Sequence, residues 1–236
     1  MSKSAYVLVP GAGGAAWYWH LVAGELRARG RDVVAVELPG EDESAGLAEY
    51  VDLIVRAAAG HERVVVVGQS LGGFSASLAA DRLPASLLVL VNAMIPRPGE
   101  TAGQWWADTG QDVAMRENDE REGRAVDAGF DPLVYFLHDV PQAVIDESLA
   151  HQHGQSGAVF DTPWWLPTWP DVPTRVLVGR DDRFFPVGFQ RRVAQARLGF
   201  LPDEMPGGHL LALGHPVELA DRLEAYRTEV DAAERA

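Results

Sequence analysis

The sequence predicts an α/β fold: a mostly parallel sheet of about six strands flanked by helices, with a helical segment inserted after the fourth strand. Three observations carry this. Short apolar runs rich in β-branched residues recur along the chain, helix-like segments separate them, and the alternation breaks once, after Val91, for a long stretch rich in Trp, Pro, Gly and His.

The runs cover residues 6–9, 33–36, 64–67, 87–91 and 175–178, each ended by Gly, Pro or polar residues, with a further candidate around 200–204. Their hydrophobicity is continuous rather than alternating, as expected of strands covered on both faces in a parallel sheet. Between them, residues 19–29 are closed by Gly30, 47–59 by Gly60 and 71–83 by Pro84, which are helix stop signals. Strand and helix alternate, which is the pattern of the α/β class.

After Val91 roughly 80 residues pass before the next strand-like run, too many for a structureless loop inside a compact domain. Residues 95–170 therefore read as a cap of short helices over one end of the sheet, and residues 1–94 and 171–236 as the core. Trp105, Trp106, Trp164 and Trp165 are expected to wall a substrate pocket, although the same rings would equally serve as the cap's own small core. The charged stretch 116–124 reads as a solvated helix face.

The chain has 236 residues, 47% of them hydrophobic, enough for one sizeable core. A net charge of −14, from 34 acidic against 20 basic residues, argues against nucleic acid, which is bound through basic surface. There is no cysteine, so a disulfide framework, a thiolate metal site and a cysteine nucleophile are excluded. The first apolar run leads straight into Pro10 and is too short for a signal peptide or a membrane span, so a cytoplasmic protein without membrane contact is expected.

Directly after the valine run comes Gly68-Gln69-Ser70-Leu71-Gly72, followed by a helix-like segment. A strand that delivers a serine into a tight turn, with glycines on both sides to allow close backbone approach, makes Ser70 a candidate nucleophile. A serine hydroxyl needs a base, and the base needs an orienting acid. His209, behind Gly207 and Gly208 and before an apolar helix-like run, is the preferred base among seven histidines. Asp182, three residues beyond Gly179 and four before Pro186, is the preferred acid, with Asp181 as the alternative. All three lie where strands end, the edge of an α/β sheet at which ligands bind. An oxyanion requires two N–H donors; Leu71, after the serine, supplies one, and Ala12 in the loop Pro10-Gly11-Ala12-Gly13-Gly14 the other. His151 and His153 lack the further ligands a metal site needs.

With these residues in place the sequence resembles the α/β-hydrolase superfamily from Tyr6 to about Tyr226. It is most similar to the small-cap branch that holds bacterial pyrethroid-hydrolase-like esterases, plant methyl esterases and hydroxynitrile lyases. The likeness is carried by LVPGAGGAAWYW at the start, YFLHDVP at 135–141, WPDVP at 169–173 and the His209 segment reaching PVELA at 216–220. Pro10 departs from the branch, which commonly has a histidine before the loop glycine. The resemblance implies a sheet lacking the first two strands of the full fold, and an ester-cleaving serine hydrolase working through an acyl-enzyme. It leaves open a C–C, thioester or amide bond as the target, or a catalytically weak ligand-binding member of the fold. The lyases of the branch place a lysine beside the histidine and a threonine in the oxyanion loop; here Leu210 and Gly11 stand there, both expected at the pocket, and the sole lysine is Lys3. The expected partner is a small-molecule ester, with no cofactor and no metal, and either a monomer or a homodimer.

Overall fold

Valine and leucine run without a polar break only where both faces of a strand are kept from water. In the computed structural model, which describes residues 4–126 and 129–235, six strands form: β1 (Ala5–Val9), β2 (Asp32–Ala35), β3 (Val64–Gln69), β4 (Ala85–Val91), β5 (Thr174–Gly179) and β6 (Asp203–Met205). All pair in parallel, in the order β2-β1-β3-β4-β5-β6. Every residue of β1 and β3 is buried. Their side chains alternate between two cores, with Val7, Val9, Val64 and Val66 on one face and Tyr6, Leu8, Val65 and Val67 on the other. The last strand starts later than the apolar run around residue 200 suggests. Pro202 has no N–H for a ladder and Leu201 is exposed, so pairing begins only at Asp203.

Helices α1 (His20–Ala28), α2 (Leu47–Ala57) and α3 (Gly72–Arg82) fill the connections between the first four strands. Trp19 belongs to the 3₁₀ turn Ala16–Trp19 that precedes α1. The inserted segment holds α4 (Ala102–Thr109), α5 (Gln111–Arg121), α6 (Pro132–Tyr135), α7 (Gln142–Ser148) and α8 (Ala158–Asp161). The chain ends with α9 (Val187–Leu198), α10 (Leu211–Gly214) and α11 (Pro216–Ala233). α1 and α11 cover one face of the sheet through Val22, Leu26, Leu219 and Leu223, and α2, α3 and α9 cover the other through Ile54, Phe74, Leu78 and Phe189.

The charged stretch 116–124 is not simply a solvated face. Asp119 is buried, accepting from Tyr135 Oη at 2.7 Å and pairing with Arg124 Nε at 2.7 Å. Among the described residues no helix is long and apolar enough to cross a membrane.

Candidate active site

From β1 the chain runs to β2 on one side and then returns to β3 on the other. The carboxyl ends of β1 and β3 therefore flank the switch point, where open α/β sheets leave a crevice. Gly11 and Ala12 leave β1 there, and Ser70 leaves β3. Ser70 sits at φ 50°, a left-handed conformation that L-residues rarely adopt and that costs about 1–3 kcal/mol. Surrounding contacts hold it, since its carbonyl accepts from Met94 N at 2.9 Å and Gly73 N at 3.0 Å. The flanking glycines are sterically required: a Cβ on Gly68 would lie 2.6 Å from Ala76 Cβ, and one on Gly72 2.4 Å from the Pro10 carbonyl.

Ser70 Oγ is 3.1 Å from His209 Nε2, and His209 Nδ1 is 2.8 Å from Asp182 Oδ2. A carboxylate oxygen only accepts, so Nδ1 carries the proton and Nε2 turns its lone pair toward the serine hydroxyl. Both His209 and Asp182 are buried. Asp182 Oδ1 accepts from the backbone N–H of Phe184 at 2.9 Å and Phe185 at 2.8 Å, which fixes the carboxylate. Asp181, the alternative acid, faces elsewhere and accepts from Gly207 N at 2.9 Å, steadying the loop that precedes His209. Phe136 stacks on the imidazole with ring centres 5.1 Å apart, and Phe184 and Phe185 meet it edge-on.

A buried amide network lies behind this chain, and sequence reasoning missed it. Asn92, one residue past β4 and at φ 44°, donates to the carbonyls of Gly208 at 2.9 Å and His209 at 3.0 Å while accepting from Gly179 N at 2.8 Å. Gln190 donates to Phe185 O at 2.7 Å and to Asp182 Oδ2 at 3.4 Å. One side chain, Asn92, thus ties the ends of β4 and β5 to the histidine loop. Its only signal in the sequence is a lone amide directly after an apolar strand.

Ser70 and His209 face a cavity of about 390 Å³. Gly11, Ala12 and Leu210 line it as expected positions would, but the four tryptophans do not. Trp105 is fully buried against Phe185 and Phe189, with Nε1 donating to Ile95 O at 3.1 Å. Trp106 packs behind Phe184 and Phe185. Trp164 is fully buried and donates to Ser77 Oγ at 2.9 Å, whereas Trp165 is 44% exposed. The pocket expectation for Trp105, Trp106, Trp164 and Trp165 is therefore corrected: three of them add to the core or back the rings around His209, and the fourth meets solvent. The apolar wall comes instead from Trp17, Tyr18, Phe136, Leu137 and Leu213. Trp17 and Phe136 lie inside the two motifs LVPGAGGAAWYW and YFLHDVP, which was the available signal.

Among the described residues no Arg, Lys, Asp or Glu lines this cavity, and no protein group accepts the backbone N–H of Ala12 or Leu71. Leu71 stands at the N-terminus of α3, where the helix dipole favours negative charge. Lys3 lies outside the described residues. No group of three His, Cys, Asp or Glu suited to a metal ion occurs among the described residues; His151 is stacked on Trp17 at 4.9 Å.

The chain is 37% identical over 111 residues to a probable esterase, PIR7A, of Oryza sativa subsp. indica, covering 42% of each. It is 33% identical over 108 residues to methylesterase 7 of Arabidopsis thaliana, covering 40% of this chain and 42% of that protein. The matches thus span about two-fifths of the length of these curated relatives. Among solved structures, polyneuridine aldehyde esterase superposes with a TM-score of 0.79 at 20% identity, over 95% of this chain and 99% of that one. A pyrethroid hydrolase from Sphingobium faniae JZ-2 does so with a TM-score of 0.70 at 21% identity, over the whole of both chains. At such identities the likeness shows the fold. The alpha/beta hydrolase family matches residues 6–222, all of the sheet but Ala5 and the whole inserted segment, and so the chain belongs to that family.

Proposed function

We propose that the protein hydrolyses a carboxylic ester of a small, uncharged substrate through an acyl-enzyme. The observation that carries this reading is the hydrogen-bonded series Ser70–His209–Asp182 opening on an apolar cavity. Ser70 Oγ attacks the ester carbonyl as His209 Nε2 takes the hydroxyl proton, and the carbonyl oxygen becomes an oxyanion. The N–H groups of Ala12 and Leu71, which have no acceptor among the described residues, receive that charge. Collapse of the intermediate expels the alcohol, to which His209 returns the proton. Water, deprotonated by His209, then releases the acid and restores Ser70. Asp182 holds the imidazole tautomer throughout and stabilises the imidazolium. The relatives named esterase and methylesterase support the same chemistry.

The test is a chain-length panel of chromogenic esters with wild type and Ser70→Ala. The expected result is turnover of short or medium acyl esters by wild type alone. Hydrolysis by Ser70→Ala at more than about a tenth of the wild-type rate overturns the reading, because a triad acts as one unit.

A further inference from the structure

The loop that carries Ala12 is Gly11-Ala12-Gly13-Gly14, and Pro10 before it has neither an N–H nor a hydrogen-bonding side chain. Within the loop only Gly14 N returns to Gly11 O, at 3.2 Å. A donor on so permissive a backbone is useful for catalysis only if something holds it still, because stabilisation of developing charge depends on preorganised dipoles.

The holding contact comes from 142 residues away. Gln155 Oε1 accepts from Gly13 N–H at 2.9 Å. Its Nε2 donates to Ser156 O at 3.2 Å, to Tyr50 Oη at 3.3 Å and to Gly40 O at 3.5 Å. Two of those partners are carbonyls, which only accept, so the amide nitrogen belongs on that side and the oxygen on Gly13. The backbone around Gln155 is fixed in turn, with Ser156 N donating to Gly40 O at 2.7 Å and Gly154 N to Glu41 Oε1 at 2.9 Å. On the other side of the loop Leu38 N donates to Gly14 O at 2.9 Å.

We propose that Gln155 is the positioning residue of the oxyanion loop: it clamps Gly13 and thereby aims the adjacent Ala12 N–H at the oxygen that gains charge. The inference rests on the acyl-transfer reading above. Gln155 does not line the cavity, but His151, Gln152 and His153 immediately before it do. One strap from the inserted segment therefore both walls the substrate and sets the geometry of the loop that stabilises the transition state.

The experiment compares Gln155→Met, isosteric but unable to accept from Gly13, with Tyr50→Phe, which removes one anchor of the amide, and with Ser70→Ala. Each is assayed on an aryl ester and titrated with a trifluoromethyl ketone, which forms a tetrahedral oxyanion with the serine, and with the matching methyl ketone, which does not. Gln155→Met should lower kcat by about 10- to 100-fold, less than the loss of a whole donor, with KM changed by less than about threefold. Affinity for the trifluoromethyl ketone should fall in parallel while that for the methyl ketone holds. Tyr50→Phe should shift kcat the same way by about two- to fivefold, and it decides the matter alone if Gln155→Met does not fold. A folded Gln155→Met with kcat within about twofold of wild type, or with equal losses for both ketones, overturns the proposal and leaves the ester reading standing. Turnover by Ser70→Ala overturns both.

Discussion

Asp182 Oδ2 stands 2.8 Å from His209 Nδ1, and the other oxygen of the same carboxylate is held by the N–H groups of Phe184 and Phe185. The carboxylate is thereby locked with an acceptor facing the ring, while the neighbouring Asp181 is spent on Gly207 N. An amide at position 182 that presents its NH₂ to Nδ1 forces the opposite tautomer and, on the proposed reading, removes the base from Ser70. Asp182→Asn is therefore expected to lower kcat by about 10² or more beyond Asp181→Asn. Steady-state ester hydrolysis by the two variants measures this, and equal losses would move the orienting role away from Asp182.

Ser70→Ala and His209→Ala should each reduce kcat by about 10⁴ to 10⁶, and the double variant should be no worse than either, because the groups act as a unit. Additive losses would show that the two residues work independently.

The strands and the Ser70 turn were legible because their causes are local: an unbroken valine run, then glycines at the two places where a Cβ would strike Ala76 Cβ or the Pro10 carbonyl. Spacing from Gly179 and Pro186 likewise points to Asp182, the aspartate whose carboxylate reaches His209 Nδ1. The tryptophans were misplaced because composition does not say which way a ring points. Trp164 turns inward to Ser77, and Trp105 sinks beside Phe189. Gln155 was invisible, and Asn92 carried no more than a lone-amide signal, because each contacts a loop far away in sequence, Gly13 and Gly208 respectively, and no short-range pattern encodes such a contact.

Asn92 is expected to matter for stability as well as rate. Asn92→Leu leaves the Gly208 and His209 carbonyls and the Gly179 N–H without this partner in a buried site, and it places a bulky residue at φ 44°. A cost of about 3 kcal/mol follows, on the order of 6–12 °C in Tm for a chain of this size. Thermal unfolding by calorimetry provides the check, and a Tm within about 2 °C of wild type would deny the network its structural role.

Away from the site, Glu224 accepts from Tyr6 Oη at 2.5 Å and from Arg31 Nη2 at 2.6 Å, with Arg227 alongside. Burial alone would raise its pKa, but hydrogen bonds from Arg227, Tyr6 and Arg31 outweigh burial and hold the carboxyl below its ordinary value. A depressed folded pKa means that the unfolded chain binds more protons on acidification. The stabilisation is complete above the unfolded glutamate value, about 4.3, and is lost as pH falls through the folded one. The Tm difference between wild type and Glu224→Gln should therefore shrink between neutral pH and pH 3. A difference that stays constant would mean that the charge on Glu224 contributes nothing.

On the proposed reading, the lining of the Ser70 cavity sets what charge a substrate can carry. It contains no Arg, Lys, Asp or Glu among the described residues, and two arginines of the inserted segment, Arg97 and Arg124, are engaged with carboxylates elsewhere. Arg97 Nη2 pairs with Asp108 at 2.6 Å, and Arg124 Nε with Asp119 at 2.7 Å. A carboxylate brought against Phe136, Leu137 and Leu213 would lose its hydration without gaining a cation, at a cost of several kcal/mol. Neutral esters should accordingly exceed carboxylate-bearing esters of the same length by about 10² or more in kcat/KM. The same lining bears on cyanohydrins, because departing cyanide needs a positive charge close to the imidazole and Leu210 supplies none. Mandelonitrile should release no cyanide above background. The three substrate types are to be run side by side on wild type and Ser70→Ala. Preference for the charged ester would show that a cation reaches the cavity, and Ser70-dependent cyanide release would replace the ester reading with a lyase.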